Sequence, residues 1–268
     1  MRADVTAMPE VLITGFDVVD VRFPTSLRLD GSDAMNLAPD YSAAYVIFST
    51  SDPDLEGHGF CFTIGRGTEI CVQAIRALAP MVVGEKAEDL FADMGGMWRR
   101  LVGDSPLRWL GPEKGVIHLA TAAVVNAVWD LYAKTRGRPL WQLLAGLDPE
   151  EIVALVDFRY LTDALTPDEA LELLRARQDS RAEREARLAS DGYPAYDTSP
   201  GWLGYDDDKL RRRCREAIAA GFTHVKVKVG ASVDDDLRRL RIAREVLGPE
   251  RGLMLDANQV WSVPEAIA

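Results

Sequence analysis

Between Phe222 and Gln259 the chain reads as a strand, a helix and a second strand, and no other feature limits the fold as tightly. "FTHVKVKVG" is a short apolar run stopped by a glycine. In "SVDDDLRRLRIAREVL", Ser232 is placed to cap a helix with Asp235 three residues on, while Val233, Leu237, Leu240 and Val246 supply its apolar face. "GPERG" then turns the chain into "LMLDANQ". Strands joined by a helix of this length run parallel, through a crossover connection.

Side chains alternate along a strand, so His224, Lys226 and Lys228 share one face and Val225, Val227 and Val229 the other. In an edge strand the lysines would be solvated and would guard against aggregation. In a (β/α)₈ barrel the valines would pack on the outer helices and the lysines would point inward, with Lys228 near the strand end where such barrels carry active sites. The next strand favours the barrel, because Asp256 closes its apolar run and Asn258 follows on the same face. Lysines and a carboxylate converging at a barrel mouth suit either a divalent cation with a lysine base or a Schiff-base lysine. His224 lies deeper on the same face and reads as a packing residue; His58 and His118 have no ligand partner at useful spacing.

The earlier part of the chain has a different texture. Val11 to Phe23, "YSAAYVIFST" and "EGHGFCFTIG" read as three strands of an antiparallel meander, with "TSLRLDGSDAMNLAPD" and "SDPDLEG" as connections. Helices are expected over Thr68 to Leu78, Ala87 to Val102 and Leu119 to Thr135, which makes residues 1–150 an α+β unit. Beyond it, "EIVALVDFRYL" is a candidate strand, and Thr166, Pro167 and Glu169 open a helix with a capping box. "DGYPAYDTSPGWLGYDDD" reads as an ordered loop whose aromatics pack, and Lys209 to Ala220 as a helix.

Composition narrows the function classes. With 268 residues, 47% of them hydrophobic, a sizeable core is available. A net charge of −11 opposes broad contact with nucleic acid or an anionic membrane, and the run Arg211 to Arg213 is balanced by Asp206 to Asp208. Three cysteines without CxxC spacing indicate neither a disulfide framework nor a zinc knuckle. No leader pattern and no uninterrupted apolar run of about 18 residues is present, so the expected location is the cytoplasm.

Taken in order, "VRFPTSL", "DYSAAYV", "LRWLGPEKGVIHLATAAVVNAVWDLYAK", "VDFRYLTD", "GYPAYDTSPGWLGY", "KVKVG" and "LMLDANQVW" resemble the mandelate racemase subgroup of the enolase superfamily, and within it the L-fuconate dehydratases. The resemblance implies an α+β capping domain over 1–150, followed over 151–268 by a (β/α) TIM-type barrel domain truncated after about three strands. Lys228 matches the general base that removes the proton α to a carboxylate, and Lys226 the neighbour that contacts that carboxylate. Asp256 matches the first of three Mg²⁺ ligands and Asn258 a substrate contact beside the metal. Gly31, Ser32, Asp33 and Tyr41 fall on the loop that closes over the sugar acid. Loss of the β-hydroxyl would then give a 2-keto-3-deoxy acid from L-fuconate.

A lysine's ordinary pKa of about 10.4 is high for a base at neutral pH, and positive charge from Lys226 and Mg²⁺ would favour its neutral form. The later strands with the remaining metal carboxylates and the acid-side Asp and His are missing from the matched pattern. The expectation is therefore the N-terminal part of a longer enzyme with a small-molecule substrate, its homo-oligomeric state left open. An inactive or partner-dependent remnant and a Schiff-base lyase using Lys228 are the alternatives.

Overall fold

The computed structural model describes residues 10–111 and 113–267. Contacts divide the chain into two compact units, one holding the chain up to Val21 with Ser42–Gly192, the other Arg22–Tyr41 with the chain from Tyr193 onward. The division expected at residue 150 is not the one the contacts draw: residues 151–192 go with the first unit and the loop of residues 22–41 with the second.

The first unit contains the expected meander. Strands β1 (Ile13–Arg22), β2 (Ser42–Thr50) and β3 (Glu56–Thr63) lie in the order β1-β2-β3, with β2 and β3 antiparallel and Ser42 opposite Thr63. Ala44, Val46 and Phe48 point from alternate positions of β2 into a core shared with helices Thr68–Leu78 and Val116–Thr135. Gly57 and Gly59 explain how closely the long helix approaches β3: a Cβ on Gly57 would lie 2.5 Å from the Ala127 carbonyl oxygen, and one on Gly59 2.1 Å from that of Ala123. By length and composition that helix could cross a membrane, but its buried positions form the centre of this core.

Three expectations for this unit need correction. The helix expected over Ala87 to Val102 is two, Ala87–Ala92 and Met94–Gly103, parted at Asp93, whose carboxylate accepts from the Gly96 N–H and caps the second. "EIVALVDFRYL" is not a strand. Pro149–Leu155 is helical and Phe158–Tyr160 forms a 3₁₀ turn. Pro149 at the first helical position and the Glu151 carboxylate accepting from the Asp148 N–H at 2.7 Å start a helix that outweighs the strand preference of the apolar residues. The helical segment from Thr166 is likewise two helices, Pro167–Arg175 and Arg181–Asp191, the first with the expected capping box.

In the second unit β4 (Asp197–Gly201), β5 (His224–Lys228) and β6 (Gly252–Asp256) form a parallel sheet in the order β4-β5-β6. β4 falls inside the segment expected to be a loop. Helices Asp207–Ala219 and Val233–Leu247 cover one face, packing Leu210, Cys214, Ala217, Ile242, Ala243 and Leu247 on Val225 and Val227. Ser232 caps the second helix as expected, its hydroxyl accepting from the Asp235 N–H. Strand and helix alternate here as in a (β/α) barrel.

Candidate active site

The register of β5 on β6 sets His224 opposite Gly252, Lys226 opposite Met254 and Lys228 opposite Asp256. With the valines packed under the helices, the two lysines project from the other face, and the C-terminal ends of both strands bring Lys228 and Asp256 together. Asp256 Oδ2 lies 3.0 Å from Lys226 Nζ and 2.8 Å from Lys228 Nζ. Asn258 completes the group: its Oδ1 accepts from Lys228 Nζ at 2.8 Å and its N–H donates to Asp256 Oδ1 at 3.0 Å. This turn needs the left-handed backbone of Asn258 at φ 47°, a conformation Asn adopts more readily than most residues.

Each lysine therefore shares one carboxylate and has a second, neutral partner. For Lys226 that partner is Tyr196, whose hydroxyl oxygen accepts from Nζ at 2.9 Å. Burial by itself would raise the Asp256 pKa, but hydrogen bonds from Lys228, Lys226 and the Asn258 N–H outweigh it and hold the carboxyl well below the usual carboxylate range. The Lys226 pKa is raised, first by the hydrogen bond to Tyr196 and then, against its own desolvation, by Asp256. The carboxylate between the two ammonium groups thus favours the charged form of Lys226, the form that can pair with an anion.

Asp256 and Asn258 offer hard oxygen donors of the kind Mg²⁺ takes. Among the described residues, however, no group of three His, Cys, Asp or Glu side chains could hold a metal ion, and Asp256 is already ion-paired twice. By themselves the described residues do not make a divalent metal centre.

The loop residues expected to meet substrate lie in the same unit as the strands. Ser32 is buried, its hydroxyl donating to the Leu29 carbonyl and accepting from the Gly204 N–H at 2.9 Å, while its carbonyl accepts from the Leu203 N–H. Asp33 is also buried and accepts from the N–H groups of Met35 and Asn36. Gly31 has φ 84°, and a Cβ there would stand 2.4 Å from the Tyr41 ring, which itself meets Trp202 edge-on. Burial, with the nearby Asp33 carboxylate, raises the Tyr41 pKa. Ala34 packs on Gly230, just after β5: a Cβ at Gly230 would lie 3.2 Å from that of Ala34. The structure thus sets this loop beside the end of β5 that carries Lys228, while the Ser32 and Asp33 side chains hold the loop's own shape.

Three contributors to this geometry carry no sequence signal of their own. Tyr196 stands in the segment read as packing. Asp30 accepts from the Tyr205 hydroxyl and from Lys209 Nζ at 3.3 Å, and Lys209 Nζ stands 3.6 Å over the Tyr205 ring. Arg239, part of a basic helical run, is 1% exposed and donates to the carbonyl oxygens of Gly201, Trp202, Leu203 and Tyr205. His224 is exposed and hydrogen-bonded to the Thr223 hydroxyl.

Residues 34–145 match the mandelate racemase / muconate lactonizing enzyme N-terminal domain, and residues 209–268 the enolase C-terminal domain-like family. The chain belongs to the mandelate racemase / muconate lactonizing enzyme family of the enolase superfamily. Among relatives in that family, it is 59% identical over 263 residues to a protein named L-galactonate dehydratase from Hypocrea jecorina, covering 97% of this chain and 58% of that one. Human mitochondrial enolase superfamily member 1 is 53% identical, over 95% of this chain and 58% of its own length. Its crystal structure superposes with a TM-score of 0.92, covering 96% of this chain and 59% of that chain. A Salmonella typhimurium L-talarate/galactarate dehydratase liganded with Mg is 22% identical with a TM-score of 0.69 over 100% of this chain and 57% of that one, which shows the shared fold. The chain thus spans a little under three-fifths of the length of the curated relatives it matches, 58% of the Hypocrea jecorina protein.

Proposed function

We propose that these residues form the proton-abstraction side of an acid-sugar dehydratase. The observation that carries the reading is the convergence of Lys226, Lys228, Asp256 and Asn258 at the C-terminal ends of two parallel strands. Lys228, as the neutral amine, takes the proton from the carbon next to the substrate carboxylate, and the Lys226 ammonium pairs with that carboxylate as its negative charge grows. The C3 hydroxyl leaves as water on accepting a proton from an acid, and the resulting enol becomes a 2-keto-3-deoxy acid. Mg²⁺, when bound, supplies charge at the carboxylate oxygens. Asp256 would offer it one ligand, with further ligands expected from groups other than the described carboxylates, water and substrate oxygens included.

The substrate we propose is an aldonic acid of L-galacto configuration. The sequence resemblance points to L-fuconate, and the Hypocrea jecorina relative is named for L-galactonate. The two acids share their configuration from C2 to C5 and differ by the hydroxyl at C6. The test is to offer the full natural protein both acids and their C2 epimers with Mg²⁺, following the 2-keto product. Turnover of one or both L-galacto acids, lost on chelation and restored by Mg²⁺, is expected. No dehydration of any of them, or borohydride trapping of substrate on Lys228 in favour of the Schiff-base reading, would overturn the proposal. A cytoplasmic location remains our proposal too, beside relatives whose name says mitochondrial; cell fractionation separates the two.

A further inference from the structure

Tyr196 is the one aromatic of the "GYPAY" segment joined to the lysine pair. Its hydroxyl lies 2.9 Å from Lys226 Nζ, and Nζ stands 4.7 Å from the ring centroid, so the ammonium meets the hydroxyl end of the ring with the phenol oxygen as acceptor. Asp256 holds the same nitrogen at 3.0 Å from β6. Tyr196 directly precedes β4, so the Lys226 ammonium is gripped from both strands that flank β5. An ammonium has three N–H donors. Tyr196 and Asp256 engage two of them and fix where the third points.

The Lys228 ammonium has its own second partner in Asn258, on the same turn as Asp256. Tyr196 plays the corresponding part for Lys226: without it, of the partners described only Asp256 would hold the ammonium, and a four-carbon side chain tethered at one contact samples several rotamers. A hydroxyl that accepts from an ammonium also keeps its own proton free to donate. The arrangement suits a group that must stay aimed at an anion before the anion arrives.

We infer that Tyr196 is a positioning residue for Lys226, holding its ammonium in the orientation that receives the carboxylate of an acidic substrate. The inference rests on the reading of this site as one for sugar acids. Its cost is expected mainly in substrate capture, since the carboxylate is bound before and during reaction.

The test compares Tyr196→Phe, Tyr196→Leu and Lys228→Ala in the full natural protein. Phe keeps the ring and removes the hydroxyl. Because a hydrogen bond between a neutral and a charged group at a partly exposed position lies at the low end of its range, KM for the sugar acid should rise about tenfold with kcat within about twofold of wild type. Leu should do no better than Phe, and unchanged melting temperatures exclude a folding defect. Wild-type KM in Tyr196→Phe, with impairment only in Tyr196→Leu, overturns the inference in favour of ring packing. A fall in kcat at unchanged KM overturns it as well. Lys228→Ala checks the underlying reading separately: if it still turns over the acid, the assignment of the site fails, whatever Tyr196 does.

Discussion

Replacing Arg239 by Met should destabilise the second unit by several kcal/mol without touching a surface residue. The guanidinium is buried and donates to Gly201 O at 2.9 Å, Trp202 O at 3.0 Å, and Leu203 O and Tyr205 O at 3.2 Å. Burial lowers its pKa, but an arginine starts so high that it remains a cation. Hydrogen bonds from a charged donor are worth about 1.5–3 kcal/mol each. Met fills the space of the stem and donates none of them. Against that loss stands the recovered cost of desolvating the guanidinium, several kcal/mol. Each buried carbonyl oxygen left without a donor costs about 1–3 kcal/mol, so with four of them the net destabilisation should be about 3–5 kcal/mol. At roughly 2–4 °C per kcal/mol for a chain of this size, the melting temperature should fall by about 10 °C. Arg239→Lys, with fewer donors in a less suitable geometry, should lie between. Thermal unfolding of the full natural protein followed by circular dichroism reads the effect. A melting temperature for Arg239→Met within about 3 °C of wild type, or about 1 kcal/mol, would refute the reasoning. Because Leu203 and Gly204 also hold Ser32, the variant should bind substrate less well even at low temperature.

Other outcomes follow from the same geometry. Gly31→Ala forces an alanine to φ 84° against the Tyr41 ring; the backbone alone costs about 1–2 kcal/mol, and differential scanning calorimetry together with a raised KM should report the disturbed loop. Asp30 gives a pH dependence whose sign is fixed: burial raises its pKa, but Tyr205 and Lys209 outweigh it and lower it. Its contribution is therefore present above the ordinary aspartate value of about 3.9 and lost as pH falls through the lower folded value, so Asp30→Asn should flatten the acid limb of a stability–pH curve measured by urea unfolding. Asp256→Asn removes the carboxylate shared by both lysines, and α-proton exchange should fall by at least tenfold while the melting temperature changes little.

What the sequence disclosed were features whose cause is local. The alternation in "HVKVK", the cap at Ser232 and the capping box at Thr166 each depend on residues within one or two turns, and each appears in the structure. The pairing of Lys228 with Asp256 was also legible, because the crossover fixes the strands parallel and both residues sit at strand ends. β4 was not, since "DTSPG" has no apolar alternation and carries Pro200 and Gly201. It is a strand because β5 pairs with it. "EIVALVDFRYL" misled in the opposite way: its apolar residues suggest a strand, yet Asp148, Pro149 and Glu151 upstream carry a helix start that was present to be read. Arg239 and Tyr196 owe their places to partners tens of residues away, Arg239 Nη2 reaching Gly201 across 38 positions and Tyr196 reaching Lys226 across 30. Nothing in their own neighbourhood distinguishes a buried arginine from a solvated one, or a tyrosine that holds a lysine from one that packs.

The central claim is that Lys228 removes a proton from the carbon beside a carboxylate. The most direct measurement is exchange of the C2 hydrogen of L-galactonate or L-fuconate with D₂O, followed by NMR in the full natural protein and its Lys228→Ala variant. The account predicts enzyme-dependent exchange or deuterium in the product with wild type, and a loss of roughly a thousandfold in the variant. Exchange in Lys228→Ala at the wild-type rate would contradict it.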